Sequence, residues 1–210
     1  MWPSIFFILI AYLLGSLSGS LLLGRLRGVD IRTVGSGNAG GTNALRTQGF
    51  KFALGTVLVD VGKGVLAAWL AWRQGPQAML AWLPYTCVLA AVIGHIWPLF
   101  HGFRGGKGGA TLLGGLLVIW PWAVPLLLAA WGLTLMCTGY VGLSTILAAA
   151  SLIATALLGG DGSERLVFAV SVALLIAYTH RSNIQRLRAG TEPRAERARL
   201  IGRWFSRKLA

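Results

Sequence analysis

The sequence predicts an all-α, polytopic membrane protein of about seven transmembrane helices, with its N-terminus outside and its C-terminus in the cytoplasm. Three observations carry this. Only 12% of the 210 residues are charged and 55% are hydrophobic, against about 25% charged in a soluble domain. The apolar residues fall into runs of roughly 20, the length that crosses a bilayer. The charges, 19 Lys and Arg against 6 Asp and Glu, gather in short segments between those runs. A net charge of +13 spread this way follows the positive-inside pattern and does not call for nucleic acid.

Met1–Gly24 is the first apolar run, with no basic n-region and no evident cleavage site, so it reads as a span and not as a signal peptide. Phe52–Trp72 follows, interrupted by Asp60 and Lys63. Ala78–Phe100 is the third and holds one histidine, His95. Gly109–Gly160 then runs for 52 residues without Asp, Glu, Lys, Arg or His. Leu166–Thr179 is the last and shortest. Basic residues crowd segment 25–51, segment 101–108 and the tail from Arg181, which holds nine of them. These three segments are expected in the cytoplasm. The 52-residue run must then cross an odd number of times, and three crossings use its length better than one. Pro121 and Gly139–Gly142 are the expected turns. Five spans in total is the alternative with the same parity. Residues 1–210 read as one integral membrane domain, with the basic tail from about residue 181 partly helical on an anionic membrane surface. Cys87 and Cys137 sit in apolar stretches and are expected to be buried free thiols.

Three polar segments, all on the expected cytoplasmic side, carry the chemistry. In VGSGNAGGTNALRTQG, at 34–49, glycines including Gly37 and Gly40 let backbone N–H groups approach an anion. Ser36, Asn38, Thr42 and Asn43 add neutral hydrogen-bonding groups, and Arg46 can hold a phosphate in a bidentate fork. In GHIWPLFHGFRGGKGGAT, at 94–111, Gly105, Gly106 and Gly108 surround Lys107 with nearly bare backbone, a point charge suited to phosphate. The nucleotide-binding pattern GxxxxGK[ST] is absent. His95 reads as a structural hydrogen-bonder or a base, and His101 as a plain interfacial residue. In YTHRSNIQRLRAGTEP, at 178–193, His180 and Asn183 share a helical face. Asp60 and Lys63, three apart inside a span, either neutralise each other or shape the site. The acidic residues do not cluster, so no metal site and no cofactor are expected.

GSGNAGGTNALRTQG at 35–49, DVGKG at 60–64, GHIWPLFHGFRGGKGGAT at 94–111 and HRSNIQRLRAGTE at 180–192 together resemble the PlsY family. These are bacterial membrane acyltransferases that use acyl phosphate. The resemblance covers most of the chain, in order and at similar spacing. It implies seven spans, a plasma (inner) membrane location and a cytoplasmic active site. It implies acyl transfer from acyl phosphate to glycerol 3-phosphate, giving lysophosphatidate and inorganic phosphate. By motif, the family's catalytic serine and arginine fall on Ser36 and Arg46, its glycine-loop lysine on Lys107, and its C-terminal histidine and asparagine on His180 and Asn183. The binding set would add Gly37, Asn38, Gly40, Thr42, Asn43, Asp60, Lys63, Gly105, Gly106 and Gly108. The substrates and membrane lipid are the implied partners, with transient contact to a soluble enzyme that produces acyl phosphate. Gly41 and Gly109 stand where Ala and Val are more usual, Thr179 where Arg is common and Ser182 where Glu is common. The general base is either His180 or a phosphate oxygen of the substrate. The rival class is a transporter of an anionic phosphorylated solute, against which stand the gathering of all polar motifs on one side and the lack of an internal repeat.

Overall fold

The computed structural model describes residues 2–74, 81–160 and 162–208. Among these residues the chain is helical with no strand, and it packs as two compact units, Met1–Pro121 and Trp122–Ala210.

In the first unit, α1 (Trp2–Gly15) and α2 (Gly19–Leu26) lead to α3 (Gly41–Gln48), α4 (Phe50–Trp72), α5 (Leu83–Ile96) and α6 (Gly109–Ile119). The first apolar run is therefore not one straight span. It breaks at residues 16–18 and bends by 45°. A break inside hydrocarbon exposes backbone groups that water cannot satisfy there. Here α4 supplies the partners: Lys63 Nζ donates to Leu17 O at 2.9 Å, and Gly19 N–H donates to Asp60 Oδ1 at 3.1 Å. Asp60 and Lys63 also pair with each other at 2.9 Å. The interior pair thus replaces the hydrogen bonds of a missing helical turn.

The helices of this unit meet through small residues. A Cβ at Gly64 would overlap Thr111 O and one at Gly114 would overlap Val61 O, so α4 and α6 lie backbone against backbone. Ala11, Ala67, Ala71, Cys87 and Ala91 fill the space between α1, α4 and α5. The outward faces carry the bulk instead: Phe6, Leu9, Leu58 and Leu117 are all exposed. Small residues inside and leucines outside mark a surface solvated by lipid chains.

In the second unit, α7 (Ala123–Thr138), α8 (Val141–Leu158) and α9 (Ser163–Thr179) precede α10 (Arg181–Arg188) and α11 (Leu200–Lys208). Leu152, Phe168, Val172 and Ile176 are buried, while Leu128, Leu147 and Leu174 face outward. Cys137 is exposed, because it lies on the outer face of α7; only Cys87 is the buried thiol expected. The tail is partly helical. Its course is pinned by Ala195 N–H to Gly139 O at 2.8 Å and by Arg194 Nε to Tyr140 Oη at 2.7 Å.

The long charge-free run divides into α6, α7 and α8, with breaks at Trp120–Trp122 and Gly139–Tyr140, where Pro121 and the glycines were expected to turn it. Among the described residues three helices, over Phe50–Trp72, Leu83–His101 and Val141–Leu158, are long and apolar enough to cross a membrane alone. Counting each of the bent pairs α1–α2 and α9–α10 as one span raises this to five. At 11 and 16 residues, α6 and α7 rise about 17 and 24 Å, short of the roughly 30 Å hydrocarbon core. The start of the third run at Ala78 and the charge at Asp161 lie outside the described residues.

Candidate active site

The first glycine-rich segment is a loop bolted down from beneath. Ile31 and Ala39 are fully buried with Leu21, Ala44 and Phe52, which tie the loop to α2, α3 and α4. Asn43, on the inner face of α3, holds the loop by its amide. Its Oδ1 accepts from Ser36 N–H at 2.9 Å, and its Nδ2 donates to Ile31 O and Val34 O, both at 3.0 Å. Asn43 is thus spent on the loop and acts by shaping it. Gly35 and Gly37 take φ of 60° and 70°, which glycine adopts at least cost. Gly40 caps α3 in an extended conformation and donates its N–H to Asn38 O at 2.9 Å. Thr42 and Arg46 follow on α3, four residues apart and so on one face. Ser36, Thr42 and Arg46 are exposed, and their side chains make no hydrogen bond or ion pair among the described residues. Asn38 is half-buried at the loop's edge.

The second glycine-rich segment folds back on the end of α5. Gly105 N–H donates to Ile96 O and Gly106 N–H to His95 O, both at 3.1 Å. A Cβ at Gly106 would overlap His95 Nε2 and stand 2.7 Å from Ala39 O. Gly106 therefore touches the first loop, and two motifs more than sixty residues apart in sequence meet there. Lys107 is half-buried beside this contact. Gly108, at φ 90°, turns the chain into α6.

Asp60 and Lys63 lie below, buried at 1% and 5% exposure. The buried position explains their pairing, and it makes them supports of the loops by way of His95, whose Nδ1 is 2.8 Å from Lys63 Nζ. Sequence reading left His95 open because nothing local links residues 32 apart. His101 is buried, not a plain interfacial residue, and its carbonyl accepts from Arg32 Nη1 at 2.8 Å.

Arg32 also clasps Asp30 at 2.8 Å. The Arg32 guanidinium and, after it, the Arg32 backbone N–H donate to the Asp30 carboxyl and hold it down at about 2 from 3.8. A lowered carboxylate stabilises the fold fully above its unfolded value and loses that contribution as pH falls through the folded one. The Asp30–Arg32 clasp, which fixes the guanidinium that reaches the second loop at His101 O, is therefore expected to hold at pH 5. It should open as pH drops from about 4 towards 2, read as faster amide exchange at 30–34; unchanged exchange down to pH 2 would refute it.

In the second unit, α9 and α10 meet at His180 with a 59° bend. His180 is buried, and its Nδ1 lies 2.8 Å from Ile176 O. A carbonyl only accepts, so Nδ1 carries the proton and Nε2 of the neutral ring is the basic nitrogen. Asn183, one turn on, packs against Gly142. Its Nδ2 donates to Glu192 Oε1 at 2.6 Å, and Arg186 Nε donates to Glu192 Oε2 at 2.7 Å. The Glu192 side chain is only 6% exposed. Sequence reading gave this carboxylate no role. Its one signal was a lone acidic residue at the end of a conspicuously basic motif.

Helices apolar on the outside, small-residue packing within and polar loops gathered at helix ends define a polytopic membrane protein. A family model for glycerol-3-phosphate acyltransferase matches residues 5–190. The chain belongs to the glycerol-3-phosphate acyltransferase family. It is 43% identical over 195 residues to the glycerol-3-phosphate acyltransferase of Synechococcus sp. (strain CC9902), covering 91% of this chain and 94% of that one. To the enzyme of Trichlorobacter lovleyi it is 42% identical over 193 residues, covering 91% and 97%. The crystal structure of PlsY (YgiH), an integral membrane glycerol 3-phosphate acyltransferase, in its glycerol 3-phosphate form superposes with a TM-score of 0.85 at 37% identity, covering 91% of this chain and 95% of that one. The lysophosphatidic acid form gives 0.84 at 35% identity.

Proposed function

We propose that this acyltransferase moves a fatty acyl group from acyl phosphate to a hydroxyl of glycerol 3-phosphate, at the cytoplasmic face of a bacterial plasma membrane. The observation that carries the reading is the meeting of two anion-suited loops at Gly106 and Ala39, with Lys107 beside the contact and Ser36, Thr42 and Arg46 exposed on the neighbouring loop and helix. A reaction between two phosphorylated molecules must bring like charges together, and cationic, N–H-rich backbone offsets their repulsion. Holding both reactants in register can supply up to roughly 7–11 kcal/mol of barrier lowering.

In the reaction, the hydroxyl oxygen attacks the acyl carbonyl carbon and forms the ester bond. The bond from that carbon to the phosphate oxygen breaks, and inorganic phosphate leaves with the electron pair. Lys107 and Arg46 stabilise the charge on that phosphate. Ser36, Thr42, Asn38 and the backbone at Gly108 bind phosphate oxygens, while Gly37, Gly40 and Gly105, whose N–H groups donate to Val34 O, Asn38 O and Ile96 O, hold the loops in shape with Asn43 and Gly106. The hydroxyl proton passes to a substrate phosphate oxygen. His180 binds through Nε2 and Asn183 through its amide, oriented by Glu192; both assignments rest on the motif they match. No cofactor enters this scheme.

The proposal includes seven spans in one domain and an outer N-terminus. In support, loops 27–40 and 97–108 of the first unit touch through Arg32 and His101, as two loops on one membrane side would. Within the second unit the α7–α8 turn and the tail touch through Gly139 and Ala195. A soluble acyl-phosphate-producing enzyme in transient contact remains part of the proposal.

The test is phosphate release by the purified protein in lipid. Release should require acyl phosphate and glycerol 3-phosphate together. No release, or release from acyl phosphate at an equal rate without the acceptor, sinks the reading. His180→Ala is expected to keep turnover while kcat/KM falls about tenfold, the size of a lost binding hydrogen bond to a charged group. A loss of about 10²–10⁴-fold in kcat at unchanged KM would instead make His180 the base.

A further inference from the structure

We propose that His95 is a positioning residue for the glycine loop, carrying the buried Asp60–Lys63 pair up to the backbone of Gly106 and so fixing where Lys107 stands. The inference deepens the reading above only in its kinetic arm; its structural arm is independent of the reaction.

Lys63 has three N–H bonds to give and three acceptors in reach: Asp60 Oδ1 at 2.9 Å, Leu17 O at 2.9 Å and His95 Nδ1 at 2.8 Å. An ammonium only donates, so Nδ1 accepts and the neutral ring carries its proton on Nε2. The ring is thereby locked by one edge to the strut that also holds the α1–α2 break. Its other edge lies under Gly106, so closely that a Cβ there would overlap Nε2. The His95 carbonyl accepts the Gly106 N–H, and the next carbonyl, Ile96 O, accepts that of Gly105. The loop is therefore held twice at one residue, by the backbone of His95 and by its ring. The ring cannot tilt without breaking its bond to Lys63, and the loop cannot settle lower without striking the ring. His95 is 3% exposed and both edges of its ring lie against protein groups, Nδ1 against Lys63 and Nε2 beneath Gly106, so it acts through the loop and not on substrate.

Two amide replacements separate this role from simple packing. Asn places its amide oxygen near Nδ1, where it can accept from Lys63, without reaching Gly106; Gln reaches the Nε2 position. The full chain in lipid is compared as wild type, His95→Asn and His95→Gln, by amide exchange and by steady-state kinetics. In His95→Asn, exchange at 102–109 should rise about tenfold while that of α4 and α5 stays unchanged. Its kcat should fall roughly tenfold to a hundredfold, the scale of a 1 Å misplacement, with a smaller change in KM. His95→Gln keeps a group beneath Gly106 but offers Lys63 no acceptor at the Nδ1 position, so it should fall between wild type and His95→Asn in both. A His95→Asn loop as protected as wild type overturns the inference. So does a rise in exchange along all of α4 and α5 that is equal in both variants. Should the wild type release no phosphate, the proposed function falls, and loop exchange alone decides the role of His95.

Discussion

Lys107→Ala is expected to lower kcat by about 10²–10³-fold, the range seen when one preorganised donor to developing charge is removed. The reason is local. Lys107 is the one side chain with reach in a stretch where Gly105, Gly106, Gly108 and Gly109 offer only backbone. Its neighbours cannot substitute for its charge, and the loop cannot rearrange to bring another, since Gly106 is wedged against His95 and Ala39 and Gly108 is fixed at φ 90°. Lys107→Arg keeps the charge but spreads it over a planar fork that a pocket shaped for an ammonium admits badly, so it should recover only part of the rate. Steady-state phosphate release in lipid reads both. A Lys107→Ala protein within about threefold of wild type would remove the lysine from the chemistry and leave the glycines as its only anion-binding part.

Asp60→Ala is the substitution with the largest expected cost in stability, about 3–5 kcal/mol, because it leaves the Lys63 ammonium buried without its counter-ion. It also removes the acceptor of the Gly19 N–H, so the α1–α2 break loses one of its two side-chain supports. The double variant Asp60→Ala, Lys63→Met removes both charges together and should cost less than the sum of the single changes. Reversible unfolding in detergent of the four proteins gives the cycle. A single-variant cost below about 1 kcal/mol would mean that the pair is solvated, as surface pairs are, and that the break is held by packing alone.

The helices were legible because hydrophobic runs and charged gaps record the bilayer directly, residue by residue. Pro121 and Gly139 marked the division of the long run, and helices end there. The glycine motifs were legible as loops for the same local reason. What escaped the sequence depends on partners distant along the chain. The break at 16–18 sits in an uncharged run whose one proline, Pro3, lies more than ten residues before it, and its supports lie on α4, 41 and 46 residues away. His95 joins Lys63 across 32 residues. Asn43 looked like one more polar group for the pocket, and only its burial shows that its amide is given to the loop. Glu192 hid among arginines, yet a buried carboxylate between Asn183 and Arg186 is the reason that motif can hold its shape.

The bend at 16–18 also bears on the order in which the chain enters the membrane. Asp and Lys at the centre of an isolated span each cost about 2.5–3.5 kcal/mol to insert. α4 carries both, and His95 is not yet synthesised when α4 reaches the bilayer. Leu17 and Gly19, however, precede it, already lodged there with a carbonyl and an N–H left open by the break. The first segment thus serves the second as an internal chaperone. Direction of synthesis delivers the acceptor and the donor before the charges that need them, and α4 is a segment whose integration depends on what was translated before it.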